Sequence, residues 1–213
     1  NSLDDIVDVG AAGTAMRFLT SVLATMPAEH VITGTERMCN RPIGVLVKAL
    51  QSIGAEISYV DKEGFPPLRI KGRRLSGGHI CLPGNVSSQY ISSLLLIAPT
   101  LYNGLSLELT GDIISRPYID MTLGIMRQFG AKSNWKTDNT IYVAPQPYKP
   151  TPYYIESDWS AASYWYEIVA LSSDEELSIV LPGLFKKSLQ GDSAVVRLFS
   201  SLGVETIFED NQV

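Results

Sequence analysis

The chain has 213 residues, 45% of them hydrophobic and 18% charged, which is ample apolar material for a packed core in one large domain or two small ones. A net charge of −5 lacks the basic excess of a nucleic-acid binder, and no apolar run reaches the roughly 18 residues that would span a bilayer. Cys39, Cys81, His30 and His79 stand apart without metal-ligand spacing, so no metal and no cofactor is expected.

In chain order, the opening Asn1-Ser2-Leu3-Asp4-Asp5 shows no basic segment leading into an apolar one, so no secretory signal is read and the cytoplasm is expected. A helix is predicted over Gly13–Thr25. Arg41-Pro42 then opens a second, with apolar residues at Ile43, Leu46, Val47, Leu50 and Ile53. Pro42 suits the first helical position because its missing N–H would be unpaired there, and Gly54 suits the left-handed C-terminal cap. Strand-like runs follow at Glu56–Val60, Leu68–Lys71 and His79–Leu82, punctuated by Gly and Pro. Beyond them come a helix at Ser87–Ala98, a strand at Leu105–Leu109, a helix from Arg116-Pro117 closed by Gly130, and a strand at Thr140–Val143.

Pro145-Gln146-Pro147-Tyr148-Lys149-Pro150-Thr151-Pro152 reads as an extended connector. The charge balance changes there: residues 1–155 hold 14 Lys and Arg against 12 Asp and Glu, whereas residues 156–213 hold 3 against 10. Two domains are therefore expected, 1–155 and 156–213, and an anionic ligand should favour the first. The second contains a predicted helix at Ser160–Leu171, a strand at Leu177–Leu181, a helix from Gln190-Gly191-Asp192 closed by Gly203, and an extended run at Glu205–Phe208.

An internal repeat organises these elements. Arg41–Ala55, Arg116–Ala131 and Gln190–Val204 share one pattern, with starts about 75 residues apart. The fold class expected is α/β, built from repeated modules of two helices and a small mixed sheet.

Four predicted helix starts carry small, hydroxyl or basic residues: Gly13-Thr14-Ala15 with Arg17 one turn on, Pro42 flanked by Arg37 and Arg41, Ser87-Ser88-Gln89, and Ser115-Arg116-Pro117-Tyr118. Taken singly, each Ser or Thr is an ordinary N-cap and each Arg an ordinary solvated or paired side chain. Jointly they suit anion binding, because unpaired N–H groups and the helix dipole are positive at such starts. Several converging starts with arginines could supply the about 8 kcal/mol that micromolar affinity for a doubly anionic metabolite requires.

The strings Ala12-Gly13-Thr14-Ala15-Met16-Arg17, Arg37-Met38 with Arg41-Pro42-Ile43-Gly44, Val86-Ser87-Ser88-Gln89, Gly111-Asp112 and Ser115-Arg116-Pro117-Tyr118-Ile119-Asp120 together resemble the 5-enolpyruvylshikimate-3-phosphate (EPSP) synthase family. Matches continue through Asp158, Ser160-Ala161-Ala162-Ser163-Tyr164 and Gln190-Gly191-Asp192. The resemblance implies a transferase, 3-phosphoshikimate 1-carboxyvinyltransferase, in aromatic amino-acid biosynthesis. It would move the enolpyruvyl group of phosphoenolpyruvate to the 5-hydroxyl of shikimate 3-phosphate through a tetrahedral intermediate, releasing phosphate. Carried onto this sequence, Gly13, Thr14, Arg37 and Gln89 are expected to contact phosphoenolpyruvate. Ser87, Ser88, Gln89, Ser115 and Tyr118 are expected to contact shikimate 3-phosphate, with Arg17, Arg41 and Arg116 as supporting basic residues. Ala11 stands where the family usually has Asn, and Phe18 where Pro often follows the Arg.

The family is about twice this length, with helix N-termini directed to a cleft between two domains of three repeats each. Domain 1–155 then corresponds to most of the shikimate-3-phosphate domain, about two repeats, and 156–213 to the first part of the second, about one. The acid/base residues of the reaction would lie outside this chain, so the isolated chain is expected to be inactive, with no catalytic residue of its own. Asp158 and Asp192 read as structural. A monomer with no nucleic-acid or membrane partner is expected. The alternatives are UDP-N-acetylglucosamine enolpyruvyl transferase, with the same chemistry on another acceptor, and a noncatalytic repeat scaffold. The Ser-Ser-Gln triplet favours the first reading, and the clustering of arginines with hydroxyls weighs against a scaffold.

Overall fold

The computed structural model describes residues 5–174 and 176–213, which divide after Pro150 into two units. In the first, one order of elements occurs twice. The first pass comprises β1 (Asp5–Asp8), α1 (Gly13–Thr25), β2 (Glu29–Thr33), a short α2 (Glu36–Cys39), α3 (Gly44–Ser52), β3 (Glu56–Tyr59) and β4 (Leu68–Lys71). The second comprises β5 (Gly78–Pro83), α4 (Ser88–Ile97), β6 (Leu105–Thr110), α5 (Arg116–Gln128), β7 (Ser133–Trp135) and β8 (Thr140–Val143).

Each pass forms a four-stranded sheet of the same topology, β1-β2-β4-β3 and β5-β6-β8-β7. The first two strands of each sheet pair in parallel, as strands joined through a crossover helix can, and the remaining pairs are antiparallel. Alternation decides which face is buried: Ile80 and Leu82 point inward from β5, and Leu105, Leu107 and Leu109 from β6. His79 and Cys81 face outward.

Helix α4 lies innermost. Tyr90, Ile91, Leu94, Leu95 and Ile97 are all buried, and the helix packs on α1, α3 and α5. At about 1.5–3 kcal/mol for each large apolar side chain removed from water, these contacts dominate the cohesion of the unit. Serines on the same helix are buried too, and they are paired: Ser21 Oγ donates to Ser93 Oγ at 3.1 Å, and Ser92 and Thr122 hydroxyls lie 2.7 Å apart. Buried hydroxyls left unpaired would cost free energy, so these two bonds also fix the register of α4 against α1 and α5.

Every element predicted for this unit is present, whereas β1, β2, α2 and β7 are not predicted from the sequence. Gly13–Thr25 and Leu68–Lys71 have the expected bounds, and Gly54 and Gly130 take positive φ values of 100° and 85°. One detail differs. Pro42 lies two residues ahead of α3, which starts at Gly44, because Ile43 N–H donates to Gly64 O at 2.9 Å and holds the chain outside the helix there.

The Tyr148 hydroxyl donates to Leu96 O at 2.9 Å, and burial pushes its pKa up to about 12. The unfolded chain loses this proton near pH 10.0, the folded chain two units higher. Above pH 10 the unfolded state alone is ionised, so folding stability should be level below pH 10 and fall between pH 10 and 12. Tyr59, raised by burial and then by the Glu63 charge, acts in the same sense. Urea unfolding of Tyr148→Phe should show a shallower alkaline fall than the unaltered chain; an identical fall would refute this account.

The second unit contains α6 (Trp159–Leu171) and a 3-10 turn, Gly191–Ala194, running into α7 (Val195–Ser200). They pack around Trp159, Ala162, Tyr166, Leu184, Val195 and Val204. Asp158 caps α6 by accepting from Ser160 N–H at 2.8 Å, and Asp192 accepts from Ser160 Oγ at 2.6 Å, so both acids hold the helix start. Two expectations fail here. Leu177–Leu181 and Glu205–Phe208 are not strands: among the described residues neither finds a ladder partner beyond the Leu181 bonds with Val213 and isolated bridges at Pro182, Glu209 and Gln212. Extended residues without a partner strand remain solvated, and Val180 and Ile207 are 63% and 64% exposed. Among the described residues no helix is long and apolar enough to cross a membrane.

Candidate active site

Parallel pairing of β1 with β2 sets the loops that follow them side by side. Val9 N–H donates to Thr33 O and Thr35 N–H to Gly10 O, both at 3.0 Å. The starts of α1 and α2 therefore issue from one edge of the first sheet, carrying Gly13 and Thr14 on α1 and the exposed Arg37 on α2. The second sheet repeats the device. Gly84 N–H donates to Thr110 O at 2.7 Å, drawing together the loops that lead into α4 and α5, with Ser87, Ser88 and Gln89 at one start and Ser115 and Tyr118 at the other.

Two side-chain bonds align the repeats. Gln89 Nε2 donates to Thr14 Oγ1 at 2.8 Å, and farther along the same helices Ser21 bonds Ser93. Moving forward on α1 moves forward on α4, so the helices run parallel and their positive ends are adjacent. Like helix ends side by side repel, and an anion offsets that repulsion.

The start of α1 gathers positive charge. Its cap residue, Ala12, supplies no side-chain acceptor, so the first N–H groups have no side-chain cap. Both Arg17 and Arg41 bring a guanidinium Nη1 against Gly13, into the space a Cβ would occupy there. Arg17 is 5% exposed; its Nη1 donates to Gly13 O at 2.8 Å, its guanidinium lies 6.0 Å from the Tyr90 ring centroid, and its Nε is buried without a partner. Among the described residues neither arginine makes an ion pair. Two close guanidinium charges repel by about 1–3 kcal/mol, and burying one without a counter-charge adds to that cost.

The expected residues divide as follows. Contacts gather Gly13, Thr14, Arg17, Arg41 and Gln89. Ser87 caps α4, accepting from Gln89 N–H at 3.4 Å, while the Ser115 hydroxyl caps nothing in α5. Arg116 stands apart: its guanidinium stacks 4.1 Å from the Trp135 ring centroid and donates to Asp138 O at 3.0 Å, engaging the β7–β8 hairpin. Tyr90 was not legible as a participant. Its hydroxyl donates to Pro42 O at 2.6 Å and ties the Arg41-Pro42 segment to α4, a contact across 48 residues that no local pattern announces. Among the described residues no three His, Cys, Asp or Glu side chains converge as metal ligands.

The family model for EPSP synthase (3-phosphoshikimate 1-carboxyvinyltransferase) matches residues 1–213. The chain is 57% identical over 210 residues to the 3-phosphoshikimate 1-carboxyvinyltransferase of Bacteroides fragilis strain YCH46, covering 99% of this chain and 51% of that protein. It is 40% identical over 207 residues to the enzyme of the same name from Aliivibrio fischeri strain MJ11, covering 96% and 48%. Among solved structures, an EPSP synthase from Acinetobacter baumannii superposes with a TM-score of 0.73 at 25% identity, over 93% of this chain and 43% of that one. The chain spans about half the length of the curated relatives it matches.

Proposed function

Because the chain belongs to the EPSP synthase family, we propose that a protein carrying it transfers the enolpyruvyl group of phosphoenolpyruvate to the 5-hydroxyl of shikimate 3-phosphate. In this reading Gly13, Arg37 and Gln89 contact phosphoenolpyruvate, with Thr14 beside them at the same helix start, and Ser87, Ser88, Gln89, Ser115 and Tyr118 contact shikimate 3-phosphate. The acceptor oxygen adds to C2 of phosphoenolpyruvate while C3 gains a proton. Loss of phosphate and of a proton from C3 then restores the vinyl group.

One observation carries the reading. Two guanidinium groups without an ion-pair partner among the described residues meet over a helix start that has no side-chain cap, beside a second, parallel helix start that bears Gln89. Such a site favours a phosphate or carboxylate through backbone N–H groups, helix dipoles and fixed cations at once. Charge held there would also stabilise the phosphate as it departs. Arg17 and Arg41 set the field, while Arg37, exposed on α2 and issuing from the same end of the sheet, would meet the ligand from beside them.

The test uses a family-length protein containing this chain. It should release inorganic phosphate from phosphoenolpyruvate only when shikimate 3-phosphate is present, and UDP-N-acetylglucosamine should not substitute. Arg37→Ala should raise KM for phosphoenolpyruvate about 10- to 100-fold, the loss of one or two charge-assisted hydrogen bonds. Release with the nucleotide sugar, or an unchanged KM in the variant, would overturn the assignment.

A further inference from the structure

We infer that Thr14 is a positioning residue for Gln89, acting through the amide it holds; this rests on the function proposed above. The pair joins two repeats 75 residues apart in sequence, with Gln89 Nε2 donating to Thr14 Oγ1 at 2.8 Å. Thr14 is suited to anchor. It lies in the first turn of α1, where the backbone is fixed by the helix, and a β-branched side chain has few rotamers. Gln89 is suited to be anchored. It is long and only half-buried, so it would otherwise sample several rotamers around the helix start.

The bond has a direction that matters. One of the two amide hydrogens goes to Thr14, which fixes the plane of the amide and leaves the second hydrogen and the carbonyl oxygen to meet a ligand. The parallel packing of α1 and α4, secured again by Ser21 and Ser93, keeps anchor and amide at constant separation. Binding then does not have to immobilise the Gln89 side chain, because the fold has already done so.

Variants of a family-length protein test this with phosphoenolpyruvate as the probe. Thr14→Val keeps the shape and removes the acceptor; it should raise KM for phosphoenolpyruvate about five- to tenfold with kcat within about twofold. Thr14→Ser restores the acceptor and should restore KM. The decisive comparison is Thr14→Val combined with Gln89→Ala, which should bind no worse than Gln89→Ala alone, because an anchor has no effect once the anchored group is gone. Circular dichroism and melting of every variant should match the unaltered protein. Multiplicative losses in the double variant would mean that Thr14 touches substrate itself, and a normal KM in Thr14→Val would mean that it orients nothing; either result overturns the inference while the function stands. Failure of the unaltered protein to turn over phosphoenolpyruvate overturns the function and the inference with it.

Discussion

Gly13→Ala should raise KM for phosphoenolpyruvate about a hundredfold while leaving the fold intact. A Cβ at this position would overlap Nη1 of Arg41 and lie 2.6 Å from Nη1 of Arg17, with Arg41 Cζ at 3.1 Å. All three are far ends of long side chains, so the backbone need not move and stability should change by less than about 1 kcal/mol. The guanidinium groups, however, must leave the helix start. Losing one or two charge-assisted contacts at about 1.5–3 kcal/mol each corresponds to the stated effect on binding. Steady-state kinetics with a thermal melt as control decide the matter. An unchanged KM would show that the two arginines do not act on the ligand from this position.

Gly72→Ala should do the reverse, destabilising the first unit by about 4 kcal/mol or more without touching the site directly. The new Cβ would fall on the carbonyl oxygens of Met26 and Leu23 and lie 2.7 Å from Met26 C, all backbone atoms at the end of α1. Retreat is blocked, because Gly72 N–H donates to Ala28 O at 2.8 Å and Arg73 N–H to Ala24 O at 3.0 Å. The chain leaving β4 is thereby sealed against the C-terminal end of the helix whose other end carries Gly13. Urea denaturation of the 213-residue chain reads the effect, and a loss below about 1 kcal/mol would show that this junction relaxes at little cost.

Local physical rules carried the reading of the first unit far. The 3.6-residue period of Ile43, Leu46, Leu50 and Ile53 and the glycines at 54 and 130 announce helices and their ends, because spacing and φ preference are properties of a short segment. The same rules missed β1 and β7, of four and three residues, and β2, whose buried alternate positions are His30 and Ile32, so that its alternation is one of burial rather than of hydrophobicity. They also overcalled Leu177–Leu181 and Glu205–Phe208. Alternation prepares a segment for a sheet, but a strand forms only where another supplies the ladder.

At the candidate site the division is similar. A single pass through the residues finds Gly13, Thr14, Arg17, Arg41, Ser87 and Gln89 as a kind of chemistry, positive groups and small residues at helix starts. It assigns Arg116 to the same set, although the structure engages that guanidinium with Trp135 and Asp138, partners 19 and 22 residues away.

By itself, then, the sequence determined the period of the longer helices, the turns that end them and the anion-seeking character of four of their starts, since these depend on neighbours within a few positions. The tertiary structure alone decided that α1 and α4 lie parallel, that Thr14 meets Gln89, that Tyr90 holds Pro42, and that two arginines face one glycine. The long-range contacts among these close loops of 28 to 75 residues, and only the burial of the shared core compensates the entropy of closing them.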